Sequence, residues 1–320
     1  MVTLAKELAE PFMIAGQVGL KVMLDLTLYP TGPTEPELEG LIDAYEKLCP
    51  ADRRKKYKIA ENEFWSEVAR PDLTASGRAA AAAGTKRPWL EPVRRRIRDG
   101  RGFEIQFWDD RPIQDPEGSW SFNCRAVHLE KSGLHSFLRI LFPLSTDAKV
   151  LHSAAGAFAD AVDLHSGHGG LTFVYDPWYK EAVFDAIYAQ SRRFWGVDIE
   201  ELNGTVPLMK KGIKGVNWIT VVGQAFAARP DVKDALAKLA KAPQVSIEPR
   251  KQATLLVAGP EPAIGDQHRP DHSLDPCYAV ADALKPLFLD AHPDFPGVPF
   301  IENGNTIGWI RRFLDPAGWR

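Results

Sequence analysis

The sequence predicts an α+β fold in which mostly antiparallel β-sheet meanders pack against helices. Apolar residues alternate with a period of two in several segments, which is typical of half-buried strands, and recur every three or four residues in others, as in amphipathic helices. Strands and helices follow one another in groups and not in regular β-α-β alternation, which favours antiparallel pairing. The same order admits a pseudo-repeat of two halves, each a meander followed by a helix.

The first part of the chain contains one long strand and two predicted helices. Apolar residues occupy alternate positions from Val18 to Tyr29, which predicts a half-buried strand. Thr34 and Glu37 have the spacing of a capping box and predict the start of a helix. The apolar residues between positions 64 and 68 predict a second helix.

The middle of the chain predicts a three-stranded meander, because three strand-like segments are joined by local connections. These segments are Phe103–Trp108, Trp120–Leu129 and His135–Phe142. A helix is expected after Asp147, which is a suitable N-cap residue. The later elements are strands at Gly169–Tyr175, Val245–Ile247 and Ala253–Val257, and helices at Glu181–Trp195, Asp231–Lys241, Tyr278–Leu287 and from Ile307 onward.

Length, charge and cysteine content place the chain among ordinary globular proteins. The 320 residues carry 39 basic and 42 acidic side chains, a formal net charge of −3, and fit one α+β domain over residues 1–320. Three scattered cysteines argue against a disulfide scaffold and indicate a reducing compartment. The first ten residues lack the features of a signal peptide, and the longest uncharged stretch has 14 residues, whereas a bilayer needs about 20. We therefore expect a cytoplasmic protein that has no membrane partner.

The net charge hides a basic segment. Residues 51–101 contain 14 Lys and Arg against 7 Asp and Glu, which gives +7 and leaves −10 for the rest of the chain. No aromatic interleaving or nucleic-acid-binding fold accompanies this segment, so we interpret it as a basic helical insertion with a solvated surface. A stand-alone nucleic-acid binder is the alternative, but no direct contact with nucleic acid is expected.

Catalytic motifs are missing from the sequence. It has no Walker loop, no dinucleotide-binding glycine fingerprint, no nucleophile elbow and no HExxH. The best metal-like set is Asp160, Asp163, His165 and His168, whose histidines are predicted to lie in a loop after a helix. We predict no enzyme activity, no metal and no cofactor; the alternative is a metal-dependent hydrolase that uses the region of His165 and His168.

An acidic turn at residues 109–119 is the most distinctive polar segment. It has a net charge of −3 and a tryptophan on either side. One interpretation is an exposed hairpin loop made polar for solubility. The functional interpretation is a protruding loop that enters a basic or metal-bearing cleft of another protein, because charge complementarity steers association. The candidate partner-binding residues are Trp108, Asp109, Asp110, Asp115, Glu117 and Trp120.

Five short strings, taken together and in order, resemble a known family. The most distinctive is Lys214–Thr220, KGVNWIT; the others are Gly169–Phe173, Arg193–Asp198, Val257–Pro260 with Gly265–Asp266, and Trp309–Phe313. They resemble the bacterial type VI secretion immunity family linked to VRR-type nuclease effectors (TsiV-like), over about residues 18 to 315. At Phe194–Trp195 the chain departs from the Tyr-Pro that is usual in that family.

The resemblance implies a cytoplasmic immunity protein that binds a cognate secreted toxin, a nuclease, and occludes its active site. It implies no catalytic residues. The glycines, proline and asparagine of these strings suit tight turns and close backbone approaches, which is typical of a scaffold whose binding surface lies elsewhere.

Overall fold

A computed structural model describes residues 11–14, 16–59, 64–69, 71, 73–112, 115, 118–129, 133–176, 179–269 and 273–319. These residues form an α+β structure, as the hydrophobic periodicity predicts. Their strands lie in a single large sheet. The twelve strands found in them are β1 Phe12–Ile14, β2 Gln17–Pro30, β3 Lys56–Ile59, β4 Ser66–Glu67, β5 Phe103–Trp108, β6 Ser121–Leu129, β7 Gly133–Phe142, β8 Leu164–Tyr175, β9 Val197–Ile199, β10 Ile219–Gly223, β11 Val245–Pro249 and β12 Ala253–Ala258.

The sheet runs in the order β11-β12-β10-β8-β2-β7-β6-β5-β3-β4, with β1 beside β2 and β9 beside β8. All strand pairs are antiparallel except β8 with β9. The predicted meander is confirmed as β5-β6-β7. The strands on either side of the central β2–β8 pair follow different orders along the chain, β7-β6-β5 on one side and β10-β12-β11 on the other.

Helices in the same residues are mostly short. They are α1 Glu35–Leu48, α2 Ala75–Ala82, α3 Glu91–Arg98, α4 Ala148–Ala161, α5 Lys180–Arg193, α6 Leu202–Thr205, α7 Gln224–Ala227, α8 Pro230–Leu239, α9 Asp275–Leu284, α10 Val298–Ile301, α11 Asn305–Ile310 and α12 Pro316–Trp319. Single 3₁₀ turns lie at Ala51–Arg53, Pro88–Leu90, Val206–Leu208, Lys285–Leu287 and Glu302–Gly304. None of these helices is long and apolar enough to cross a membrane.

The N-caps of two helices are formed as the sequence predicts. Thr34 accepts a hydrogen bond from the backbone of Glu37, and the Glu37 side chain accepts one from the Thr34 backbone, which completes the capping box of α1. The Asp147 side chain accepts from the backbone of Lys149 at the start of α4. Each cap satisfies backbone donors that the first turn leaves without an intrahelical partner.

The main core lies between one face of the sheet and helices α1 and α4. Tyr45 of α1 stacks on Phe107 of β5, with ring centroids 5.4 Å apart, and tilts against Phe122 of β6 at 5.0 Å. The opposite face of β2 is also buried: Asp25 is 3% exposed and Thr27 is 0% exposed. The prediction of a half-buried strand is therefore wrong for β2, since both of its faces are covered along most of its length.

The basic segment at residues 51–101 pairs with the acidic helix α1. Arg87 contacts Glu39 and Asp43 of α1 at 2.5 Å and also Glu46 at 2.6 Å, and Arg94 forms an ion pair with Glu39. This pairing offsets part of the positive charge of the segment with acidic side chains of α1. The segment contains strands β3 and β4 as well as helices, so the helix predicted across residues 64–68 is wrong: Ser66–Glu67 pairs with β3 as strand β4.

Candidate functional site

The acidic turn connects strands β5 and β6, and its base is fixed by Asp109. The backbone N–H of Asp109 donates to the carbonyl of Trp120 at 3.2 Å, and the backbone N–H of Trp120 donates to Asp109 Oδ2 at 3.1 Å. The Asp109 carboxylate is fully buried and lies 3.0 Å from Arg53 Nε. Asp109 therefore joins the two ends of the turn, and its carboxylate faces the protein interior.

Asp110 and Asp115 lie nearer the surface than Asp109. Asp110 adopts a positive φ of 65°, and its side chain is 46% exposed and lies 3.7 Å from Lys56 Nζ. Asp115 lies 3.5 Å from Arg111 Nη1, and its carbonyl accepts a hydrogen bond from Lys21 Nζ at 3.1 Å. Basic side chains therefore offset part of the negative charge of the turn. Glu117 lies outside the described residues.

The two flanking tryptophans have different environments. Trp120 is buried and packs edge to face on Phe142, with ring centroids 5.1 Å apart. Trp108 is half-buried, donates from Nε1 to the carbonyl of Arg111 at 2.9 Å, and lies 5.5 Å from the ring of Trp65. Trp65 is 37% exposed, so the Trp65–Trp108 pair forms a partly open aromatic wall.

A cavity of about 750 Å³ lies beside this aromatic wall, over the sheet face that α1 does not cover. Its lining includes Trp65, Trp108, Gln106, Asn123 and Lys21. Polar side chains on an aromatic-walled sheet face, next to a loop with a fixed base, form a surface able to bind a protein partner.

On that same face of the sheet, beneath helix α6, the chain buries a four-residue charge network. His168 lies on β8, and its Nε2 atom is 2.9 Å from Asp198 Oδ2 and 2.8 Å from Glu200 Oε2. Lys214 donates from Nζ to the same two carboxylate oxygens, at 2.9 Å each. All four side chains are at most 6% exposed. Two positive and two negative charges thus cancel inside the protein.

The protonation states of the network follow from its pairing. Burial and Lys214 oppose protonation of His168, but Asp198 and Glu200 raise its pKa to about 9. Burial favours the neutral form of Glu200, yet Lys214 and His168 lower its pKa to about 2. The pKa of Asp198 is lowered in the same way. The imidazole is therefore a cation at neutral pH and cannot serve as a general base.

The network also resembles a metal-ligand set, since ligand atoms of His168, Asp198 and Glu200 all lie within 4.8 Å of one another. A metal ion would have to compete with the Lys214 ammonium, which already donates to the carboxylate oxygens that face His168. A protonated histidine has no lone pair for a metal. The donor set therefore fits a salt-bridge network better than a metal centre.

Arg139 and Asp25 form a second buried ion pair next to the network. Arg139 Nε donates to Asp25 Oδ2 at 2.5 Å, and Thr27 of β2 pairs in register with both Arg139 of β7 and His168 of β8. Burial raises the pKa of Asp25, whereas Arg139 counteracts that rise. Charged groups from β7, β2 and β8 thus lie in one row across the sheet.

Two of the five strings singled out in the sequence contribute a residue to this network, and close backbone packing accounts for glycines in others. Lys214 and Asp198 are members of it, and Asn217 lies against Gly170, where an added Cβ would be 2.3 Å from Asn217 Oδ1. Gly196 packs against the carbonyl of Ala263 so closely that a Cβ there would lie 1.9 Å from it. The strings are thus explained by close packing and buried charge.

One protein family matches most of this chain. The model of the TsiV family, described as type VI immunity for VRR-NUC, matches residues 65–313. The chain belongs to the TsiV family. Among curated proteins, none matches the chain.

Solved structures include a relative of this TsiV chain with the same fold. The Pseudomonas aeruginosa T6SS protein PA0821 matches with a TM-score of 0.68 and 18% identity, over 95% of this chain and 88% of the other. At that identity the likeness concerns the fold alone.

The metal-like set expected around His165 is not brought together in the TsiV chain. His165 and His168 lie within strand β8 and not in a loop, and a separation of three residues directs their side chains to opposite faces. Asp160 accepts a hydrogen bond from the backbone of Lys251, and Asp163 accepts one from Thr31. The sequence pattern missed Asp198, Glu200 and Lys214, although acidic residues inside the apolar string 197–200 were a usable signal.

Proposed function

We propose that this TsiV protein binds a cognate type VI secreted toxin, a VRR-type nuclease, in the cytoplasm and neutralises it by occluding its active site. The observation that carries the proposal is the family match over residues 65–313. The mode of action is binding and not catalysis, without metal or cofactor. The mutually paired charges of His168, Asp198, Glu200 and Lys214 support this, because they suit a rigid scaffold.

The proposed contact surface is the acidic turn together with the Trp65–Trp108 wall. Asp110, Asp115 and Glu117 supply negative charge toward a nuclease cleft, which is basic because it binds phosphate. Asp109 and Trp120 belong to the same proposed site as residues that hold the base of the turn. The hydrogen-bonded base at Asp109 and Trp120 limits the conformational entropy that the turn loses on binding, which supports tight association.

Co-expression with a candidate VRR-type nuclease toxin tests the proposal. We expect the wild-type chain to restore bacterial growth and to co-purify with that toxin. Loss of charge steering predicts that Asp110→Ser/Asp115→Ser/Glu117→Ser associates about tenfold more slowly at low salt and protects less well. Asp109 is left unchanged so that the base of the turn stays intact.

A second triple variant controls for net charge. It removes three exposed acids far from the turn, as Asp231→Ser/Asp234→Ser/Asp290→Ser. Equal association rates for the two triple variants would reject the turn as the contact surface. Failure of the wild-type chain to bind or protect would reject the immunity function itself.

A further inference from the structure

Arg312, which follows helix α11, is a buried cation that forms no ion pair with any described residue. Its side chain is 1% exposed, donates from Nε to the carbonyl of Trp195 at 2.8 Å, and donates from Nη1 to the carbonyl of Trp309 at 3.1 Å. Within the described part of the chain, no carboxylate lies within 4.0 Å of its guanidinium. By contrast, Lys214, which is also buried, and Arg139, which is partly buried, each contact a carboxylate.

The guanidinium is held between two aromatic rings. Its central carbon lies 4.0 Å from the ring centroid of Trp309 and 4.4 Å from that of Phe313. These cation–π contacts fix its plane but supply no full negative charge. Burial lowers the pKa of Arg312 to about 10, although the Asp198 carboxylate counteracts part of that fall.

Arg312 lines a cavity of about 620 Å³ between strands β11 and β12 and the start of helix α9. Asn217, Trp218 and Cys277 line its buried part. Two acidic residues, Glu261 and Asp275, also line the cavity but are exposed at its rim. The site therefore has a positive charge inside and negative charges at its mouth.

This charge distribution selects the chemistry of a ligand. A carboxylate matches the planar fork of a guanidinium and carries a single negative charge. A phosphate with two charges would be repelled more strongly by the rim carboxylates. Basic groups beside the bound carboxylate would instead be attracted to Glu261 and Asp275.

We propose that the cavity over Arg312 binds a carboxylate side chain that the toxin presents among basic residues. This inference rests on the proposed function, because the toxin is taken as the protein that presents the carboxylate. Arg312 supplies the counter-charge for the carboxylate, and the rim acids contact the neighbouring basic groups. This contact is separate from the acidic turn. At Arg312 the protein supplies the positive charge and the toxin the negative one, whereas at the turn the protein supplies the negative charge.

Two pairs of variants test the proposal. Arg312→Gln removes the buried charge, and Arg311→Gln removes the neighbouring arginine, which pairs with Asp290 outside the cavity. Ala263→Phe fills the mouth of the cavity from an exposed position, and Ala225→Phe places the same ring at an exposed position elsewhere. The Ala263 variant keeps the test valid if Arg312→Gln does not fold.

The first measurement uses the protein alone. Thermal unfolding is followed in acetate, N-acetylglutamate α-amide, which carries one carboxylate, and inorganic phosphate, each compared with chloride at equal ionic strength. We expect the two carboxylates to raise the unfolding temperature of the wild type and of both controls, but not of Arg312→Gln or Ala263→Phe. A rise that survives in Ala263→Phe, or no rise in the wild type, would overturn the anion site, and stabilisation by phosphate alone would overturn the choice of carboxylate.

The second measurement uses the toxin. We expect Ala263→Phe to bind the toxin at least about tenfold more weakly than Ala225→Phe, the loss corresponding to one charge-assisted hydrogen bond. Equal binding by these two variants would show that the toxin does not contact this cavity, and the proposed immunity function would be unaffected. Absence of toxin binding by the wild type would instead reject the immunity function, and the anion measurement would still decide the site.

Discussion

Replacing Lys214 by methionine is the sharpest test of the buried charge network. The ammonium of Lys214 donates three hydrogen bonds at 2.9 Å, to Asp198 Oδ2, Glu200 Oε2 and the carbonyl of Ile199. In Lys214→Met, two buried carboxylates would share one protonated His168, which leaves an uncompensated negative charge. Methionine has a similar length, so a cavity contributes little to the effect.

The expected loss of unfolding free energy is about 3–5 kcal/mol, the cost of removing one partner from a buried ion pair. Urea-induced unfolding followed by circular dichroism measures it. Lys211→Met is the matched control, because Lys211 is exposed and its replacement should change stability by less than about 0.5 kcal/mol.

A double variant separates charge from packing. Lys214→Met/Asp198→Asn removes one charge of each sign, so it should be more stable than the sum of the two single losses predicts. A loss below about 1 kcal/mol for Lys214→Met would refute the reasoning, since the carboxylates would then have found another partner or a proton at little cost.

Three further predictions concern pH and packing. The pKa of His168 is raised above its ordinary value near 6.5, to about 9. Its contribution to the free energy of unfolding is therefore complete below pH 6.5 and is lost as the pH rises through 9. Urea unfolding at pH 6 and 9.5 should show a loss of up to about 3 kcal/mol in the wild type that His168→Gln does not share. Asp109→Asn should lower the unfolding free energy by about 2–3 kcal/mol and Asp110→Asn by less than about 0.5 kcal/mol, because only the first carboxylate is buried; equal losses would contradict this. Gly196→Ala should cost about 3 kcal/mol in a thermal or urea melt, as its Cβ would lie 1.9 Å from the Ala263 carbonyl, and a wild-type midpoint would disprove that contact.

Elements whose signal is local could be predicted well. The β5-β6-β7 meander has strong alternation and short connections, and α1 has a capping box that specifies its first turn. The segment around Ser66 was predicted as a helix because its apolar residues have helical spacing. It forms strand β4 instead, since pairing with β3 supplies its backbone hydrogen bonds. The sequence of one segment does not reveal which strand it will pair with.

The candidate site was less accessible to sequence patterns. The acidic turn is visible as a run of charges, but its sequence does not reveal that Asp109 faces inward to Arg53. The charge network joins His168 to residues 30 or more positions later, and no short motif has that spacing. Its members are recognisable only as charged residues in otherwise apolar surroundings.

Composition and periodicity predicted the fold class and most of the long elements, and a resemblance of five ordered strings pointed to the family. The tertiary structure alone decided which charges meet: the basic segment with α1, Lys214 with two carboxylates, and Arg312 with none. The physical reason is that periodicity reports which side of an element is apolar, whereas the energy of a buried charge depends on atoms within a few ångströms, whatever their distance along the chain. The net charge of −3 is therefore a sum over pairs that only the folded chain brings together.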